Sequence, residues 1–493
     1  MSRQRFFKFI ALASSLVVAA RADVSLPPIF GEHMVLQRDR PVPVWGTAEP
    51  GEQVTVEFAG RGGSVTADAA GRWRVNLAAM PASAEPRVLT VRGKNTLTFS
   101  DVLVGEVWFL SGQSNMEKPL GPRSGQKPTD NYEEELTRAD CPTLRLFQVP
   151  QYAKPKPNDG TMAWVASSGD ALMKTRFSAA GYYFGRELQR ELGVPVGLIH
   201  SSFGGTRIEA WMPAEAFDSA ALRDLPNQKY QAWVKGVQAT ELYQSMVTPF
   251  VPFALRGFLW YQGEANVMNA EHLIYAAKMR AMIAAWRQAW GDADAPFYFA
   301  QIAPFFYSGQ KNWEKQLTPL ALPAIWEAQI RVLDVPHTGI VATSDLAGNG
   351  RDIHPTNKRD VGLRFARLAL AETYGRKDIA AQAPRLKSVR QISVGTFEVT
   401  LDYADGIHVP GNQLSPGFEI ADEDRVFHPA DETAVNGIII VSCRAVLRPA
   451  ALRFGWNEMA MPNLVNAAGL PALPFRTDDW PLVLEVPKEP KPN

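Results

Sequence analysis

The sequence predicts an α/β protein carrying a β unit on each side, and three observations predict it. Short alternating apolar and polar stretches broken by Gly, Pro and Asn fill residues 27–100. Five strand-like runs then alternate with helical stretches, the mark of an α/β sheet. After Pro384 strand-like pieces return. At 493 residues the chain exceeds the size at which one hydrophobic core stops growing, so several packed units are expected. The expected divisions are 1–22, 23–100, 101–380 and 381–493.

Residues 1–22 carry Arg3, Arg5 and Lys8, the apolar run FIALASSLVVAA, and Ala20-Arg21-Ala22 ahead of Asp23. That order reads as a secretory signal peptide, so an exported chain, periplasmic or secreted, is expected. The run has 12 residues, short of the roughly 20 a spanning helix needs, so no membrane span is expected in the mature chain. The first β unit contains VPVWG, QVTVEFAG, WRVNL and LTVRG. The middle unit contains EVWFL (106–110), VGLIHS (196–201), RGFLWYQ (256–262), FYFAQI (297–302) and GIVATS (339–344).

Three helices are well signalled. Ser178 caps a segment through Leu192 that stops at Gly193-Val194-Pro195; residues 271–290 end at Gly291; a last helix spans Thr356 to Tyr374. Residues 117–160 hold several Pro, Lys and Gly and little periodicity, and read as a long insertion shaping a cleft. SVGTFEVTLDY and GIIIVSCRAVL mark the closing β unit, and the tail KEPKPN reads as loose.

Lys plus Arg equals Asp plus Glu at 51 each, so no global field draws in nucleic acid or an acidic membrane surface. Charged residues at 21% and apolar ones at 46% describe a globular chain. Cys141 and Cys443 stand far apart in different expected units, which favours two free thiols. Seven histidines without ligand spacing point away from a metal site. Neither GxxxxGK[ST] nor GxGxxG follows a strand, so no cofactor is expected.

Open α/β sheets place ligands beyond the carboxyl ends of their strands. Four segments stand there: Ser111-Gly112-Gln113-Ser114-Asn115-Met116, Ser202-Phe203-Gly204-Gly205-Thr206, Gln262-Gly263-Glu264 and Asp352-Ile353-His354-Pro355. A serine hydroxyl attacks a carbonyl only with a base in hydrogen-bond reach and a group that orients the base. Ser114, His354 and Asp352 supply those parts; Asp345, at another strand end, competes for the orienting role. The positive end of the helix after His354 disfavours an imidazolium, while Asp352 favours it.

The oxyanion formed by such attack needs fixed donors, and the Ser114 amide, the Gly205 amide and the Gln262 side chain are candidates. Gly204-Gly205 also reads as a flexible turn, and Gln262 as a structural amide. Glu264 reads as a substrate contact or as a group behind the site. A carboxylate-pair glycosidase built on Glu264 with Glu209 or Asp352 is a rival reading, but it leaves Ser114 unexplained.

LPPIFGEHMVLQRDRPVPVWG (26–46), LSGQSNME (110–117), GGTRIEAW (204–211), WYQGEAN (260–266), DIHPTNK (352–358) and GLPALPFRTDDW (469–480) occur in that order. On these motifs the chain resembles the sialate O-acetylesterases and their bacterial relatives among the SGNH-type esterases, over nearly its whole mature length. The resemblance implies a flavodoxin-like SGNH hydrolase core, a three-layer α/β/α unit with a parallel sheet, between β-sandwich-like N-terminal and C-terminal domains. It implies Ser114 as nucleophile, an Asp352-x-His354 pair, and an oxyanion hole from the Ser114 and Gly205 amides with Gln262, which stands where many relatives have asparagine. Arg207, Glu209 and Trp211 are expected sugar contacts, Arg207 suiting a sialic-acid carboxylate. The expected substrate is an acetylated sialic acid, or an acetylated xylan or xyloglucan. An inactive carbohydrate-binding protein is the alternative from another class.

Overall fold

The computed structural model describes residues 23–151, 162–223, 237–311, 313–410, 417–435 and 437–487. The expected signal peptide, the tail KEPKPN and the end of the expected insertion lie outside the described residues.

The first strands are β1 (Val35–Gln37), β2 (Val42–Thr47), β3 (Gln53–Phe58), β4 (Arg61–Thr66), β5 (Arg72–Leu77), β6 (Ser83–Arg92) and β7 (Thr96–Gly112). Next come α1 (Ser114–Glu117), α2 (Tyr132–Thr137), β8 (Cys141–Gln148), β9 (Trp164–Ser167), α3 (Gly169–Thr175), α4 (Ala179–Leu192) and β10 (Val196–Ser202). The middle closes with α5 (Ala220–Arg223), β11 (Gly257–Tyr261), α6 (Glu264–Val267), α7 (His272–Trp290), β12 (Phe297–Ala300), α8 (Ala321–Ile330), β13 (Thr338–Val341) and α9 (Arg359–Glu372). The last strands are β14 (Arg385–Ser393), β15 (Thr396–Asp402), β16 (Phe418–Ala421), β17 (Phe427–Pro429), β18 (Asp431–Val435), β19 (Ile438–Ser442), β20 (Ala451–Phe454) and β21 (Phe475–Arg476).

The central sheet runs β13-β12-β11-β7-β10-β8-β9. Its pairs are parallel except β8 with β9, which are antiparallel. Strand side chains alternate faces, and β7 shows both. Trp108 meets Phe184 of α4 at 5.2 Å between centroids, while Phe109 meets Trp286 of α7 at 5.8 Å. Helices therefore cover both faces, which is why β7, β10 and β11 read as continuous apolar runs. Among the described residues no helix is long and apolar enough to cross a membrane.

The caps foreseen for α4 and α7 are present: the Ser178 hydroxyl accepts from Gly181 N–H at 3.0 Å, and Gly193 and Gly291 end their helices in the left-handed conformation. Residues 117–160 differ from the expected irregular insertion, since they contain α2 and β8. Leu144, Leu146 and Phe147 are buried beside β10, and the charge that hid this strand, Arg145, is neutralised by a two-pronged pair with Asp101 at 2.7 and 3.1 Å.

The expected boundary near residue 100 falls inside β7, whose early part pairs with β6 and β1 and whose later part pairs with β10 and β11. Accordingly Val54, Val56 and Phe58 of β3 belong to the same apolar core as the central sheet. The C-terminal strands form two sheets, β14-β15-β19-β18 and β17-β16-β20-β21. Val399 and Val441 of one pack with Ile420 and Phe454 of the other in a second core. Cys141 and Cys443 are free thiols.

Candidate active site

The carboxyl ends of β7, β10 and β11 lie side by side, with Gly112 opposite Ser202 on one strand and Tyr261 on the other. Gly112 has φ 140°, and a Cβ there would stand 2.2 Å from the Tyr261 carbonyl oxygen. Only glycine fits that corner, and the turn it permits delivers half-buried Ser114 to the sheet edge. The loop after β10 closes on the same point: a Cβ on Gly204 would lie 2.6 Å from Glu117 Oε2 and 3.3 Å from Ser114 Cβ. Among the described residues neither the Ser114 nor the Gly205 amide donates to a backbone carbonyl.

His354 arrives on the loop between β13 and α9. Asp352 Oδ1 accepts from the His354 backbone N–H at 2.9 Å. Asp345 is engaged elsewhere, paired through both oxygens with Arg364 at 2.7 and 2.5 Å. The helix begins at Arg359, three residues later than expected, and just ahead of it Asn357 Oδ1 accepts from Asp360 N–H at 3.0 Å. His354 therefore lies outside the first turn, and the helix end is not what depresses its basicity. Burial pushes His354 down to about 4, and the Lys358, Lys118 and Arg123 cations add to that while Asp352 opposes it.

The residue after Ser114 and the residue before His354 are joined directly. Asn115 Nδ2 donates to the Ile353 carbonyl at 3.0 Å and to Glu264 Oε1 at 2.5 Å, and Asn115 Oδ1 accepts from Lys358 Nζ at 2.6 Å. Asn115, Glu264 and Lys358 are all buried. Burial raises the Glu264 carboxyl above its ordinary range, with Asn115 and Lys358 opposing. Burial, reinforced by Lys118, brings Lys358 down to about 7.

Four expected contacts take other places. Gln262 does not present its amide to the cleft: Nε2 donates to Thr206 O at 3.2 Å and Asn266 Oδ1 at 2.7 Å, while Oε1 accepts from Tyr275 at 3.0 Å. Arg207 is ion-paired to Glu209 at 2.5 Å and to Glu271. Lys278 Nζ donates to Glu209 at 2.5 Å, and Asn266 Nδ2 to Glu271 at 2.7 Å. Burial works against the Glu209 carboxylate, yet Lys278 and Arg207 hold it well below its ordinary range. Trp211 is buried, its Nε1 donating to Thr206 Oγ1 at 3.0 Å. These side chains fasten the loop after β10 to α7. Glu264 and Glu209 are both buried, and Glu209 is taken up by Lys278 and Arg207.

Asn115, Lys358, Glu271 and Lys278 were not singled out from the sequence. Asn115 and Lys358 lie inside the motifs LSGQSNME and DIHPTNK, and their adjacency to Ser114 and His354 was the available signal.

Comparison with known proteins gives a consistent answer. The family described as "Carbohydrate esterase, sialic acid-specific acetylesterase" matches residues 104–371, more than half of the chain. The sialate O-acetylesterases of Pongo abelii and Homo sapiens are each 27% identical over 90% of this chain and 90% of their own length. The crystal structure of a carbohydrate acetylesterase from Xanthomonas citri superposes with a TM-score of 0.81 at 36% identity, covering 93% of this chain and all of that one. The chain therefore belongs to the carbohydrate esterase family of sialic acid-specific acetylesterases and is a carboxylic ester hydrolase.

Proposed function

We propose that the chain removes O-acetyl groups from carbohydrates, with Ser114 as nucleophile, His354 as general base and Asp352 as the group that favours the imidazolium. The observation that carries this reading is the Asn115 side chain, which ties the nucleophile corner to the base loop at the Ile353 carbonyl. His354 takes the Ser114 proton as Oγ attacks the acetyl carbonyl carbon. The Ser114 and Gly205 amides receive the oxyanion. The intermediate collapses, the sugar oxygen leaves with the proton from His354, and an acetyl group remains on Ser114. Water then attacks with His354 again as base, acetate departs, and the hydroxyl recovers its proton.

The middle unit, 101–380, is in this reading an SGNH-type hydrolase core of flavodoxin-like topology, flanked by β units at 23–100 and 381–493. The substrate is an O-acetylated sialic acid, in keeping with the names of the animal relatives, or an acetylated xylan or xyloglucan. The opening 22 residues serve export, which suits an enzyme that meets polymeric or cell-surface sugars.

Acetate release from acetylated sialosides, acetylated xylo-oligosaccharides and an aryl acetate, by the protein and by Ser114→Ala, tests the proposal. The substitution is expected to lower kcat on every active substrate by about 10⁴-fold or more. Equal, slow release by both proteins would favour a carbohydrate-binding role without catalysis.

A further inference from the structure

We propose that Lys358, acting through the Asn115 side chain, is a positioning residue that locks the nucleophile corner and the base loop into one working arrangement. The inference rests on the Ser114–His354 reading and adds a residue to it.

A lysine without exposed surface is costly to keep, and the usual offset is a carboxylate in direct contact. Lys358 has no such hydrogen-bonded partner among the described residues. Its ammonium donates to Asn115 Oδ1 and lies 5.2 Å from the centroid of the Tyr261 ring, and Glu264 is reached only through the other end of the same amide. That arrangement fixes which way the amide points. With Oδ1 held by Lys358 Nζ, Nδ2 faces Glu264 Oε1 and the Ile353 carbonyl, and both Nδ2 hydrogens have acceptors.

Four pieces of chain thereby meet at one amide: the turn after β7, α6, the 352–354 loop and the residue that precedes α9. Without the ammonium Asn115 Oδ1 loses its donor and the amide is held only through Nδ2, by Glu264 Oε1 and the Ile353 carbonyl, and a flipped Asn115 would oppose its oxygen to that carbonyl. The base loop would then lose its tether to the nucleophile corner. A displacement of about 1 Å at such a site costs on the order of 10²-fold in rate.

The charged groups around His354 are Lys358, Asp352, Lys118 and Arg123, and those around Lys358 are Lys118, Glu264 and Asp352. Removing the Lys358 cation removes an influence that disfavours protonated His354. The base must therefore titrate at higher pH when Lys358 is made apolar.

The test uses the full chain with Lys358→Met, Lys358→Arg, Asn115→Ala and the Lys358→Met/Asn115→Ala pair, assayed on an aryl acetate across pH with thermal unfolding in parallel. Lys358→Met is expected to lower kcat about 10²-fold with KM changed less than about twofold, since what is lost is alignment and not ground-state binding. The acid limb of kcat/KM is expected to move up by about half a unit or more. Lys358→Arg keeps the charge and leaves the limb in place, and the pair is no worse than its weaker member because both act through one amide.

An unmoved limb in folded Lys358→Met, or additive losses in the pair, overturns the inference. Should Lys358→Met not fold, Asn115→Ala decides: kcat within about twofold of the parent in that variant also overturns it. Full activity of Ser114→Ala would instead overturn the catalytic reading itself, so the two failures are distinguishable.

Discussion

At residue 354 an imidazole is asked to accept a proton while surrounded by three cations. Its basicity is pushed down to about 4 from the ordinary histidine value of 6.5, first by burial and then by Lys358. A base acts only when unprotonated, so activity is lost as pH falls through the pKa of the free enzyme. The acid limb of kcat/KM is expected well below pH 6.5; a limb at or above 6.5 would show that the charges around His354 do not act as described. Asp352 favours the imidazolium, and Asp352→Asn is expected to lower kcat by about 10³-fold in a steady-state assay. Ser114, Gly112 and the Asp352–His354 pair were legible in the sequence because strand ends and glycine corners have local signatures. The fate of Gln262 was not, because the acceptors that take its amide, Thr206 O and Asn266 Oδ1, come from another loop and from α6.

Between elements, the fastening of the loop after β10 to α7 is ionic and buried. Arg207, Glu209, Glu271 and Lys278 alternate charge, so losing one partner strands the others in a medium that solvates them poorly. Glu209→Ala is expected to cost about 3–5 kcal/mol of stability, read as a fall in denaturation midpoint, with KM for a small ester unchanged. A raised KM for sugars at unchanged stability would instead restore Glu209 as a substrate contact. The depressed Glu209 pKa means that its stabilising share is present above the unfolded value near 4.5 and is lost as pH falls through the folded value. At the end of β7, Gly112→Ala is expected to destabilise the fold and abolish activity together, since a Cβ has no space beside the Tyr261 carbonyl. Continuous apolar runs made the five main strands legible and the period-3.6 pattern with its caps the three helices; β8 was obscured by Arg145, a charge buried against a partner 44 positions away.

Over the whole molecule, one strand decides which parts stand or fall together. β7 belongs to the N-terminal strands at one end and to the central sheet at the other, and residues of both share one apolar core. Native-state hydrogen exchange is expected to show 53–58 and 257–261 opening with the same free energy, while 396–402 and 438–442, around their own core, open independently. Separate protection for β3 and β11 would show that the N-terminal strands fold as their own unit. The division of the text into β, α/β and β stretches was legible from composition and period. The continuity across residue 100 was not, because the strand passes through Asp101 in a left-handed conformation that no strand pattern signals.

The central claim is that the acetyl group passes through Ser114. Mass spectrometry of peptides from the enzyme quenched during turnover of an activated aryl acetate, whose good leaving group speeds acetylation relative to hydrolysis, tests it most directly. The account predicts one acetyl increment on the peptide that contains Ser114, absent after Ser114→Ala and cleared on longer incubation. Acetate released at full rate by Ser114→Ala, or an acetyl increment carried only on a different residue, would contradict it.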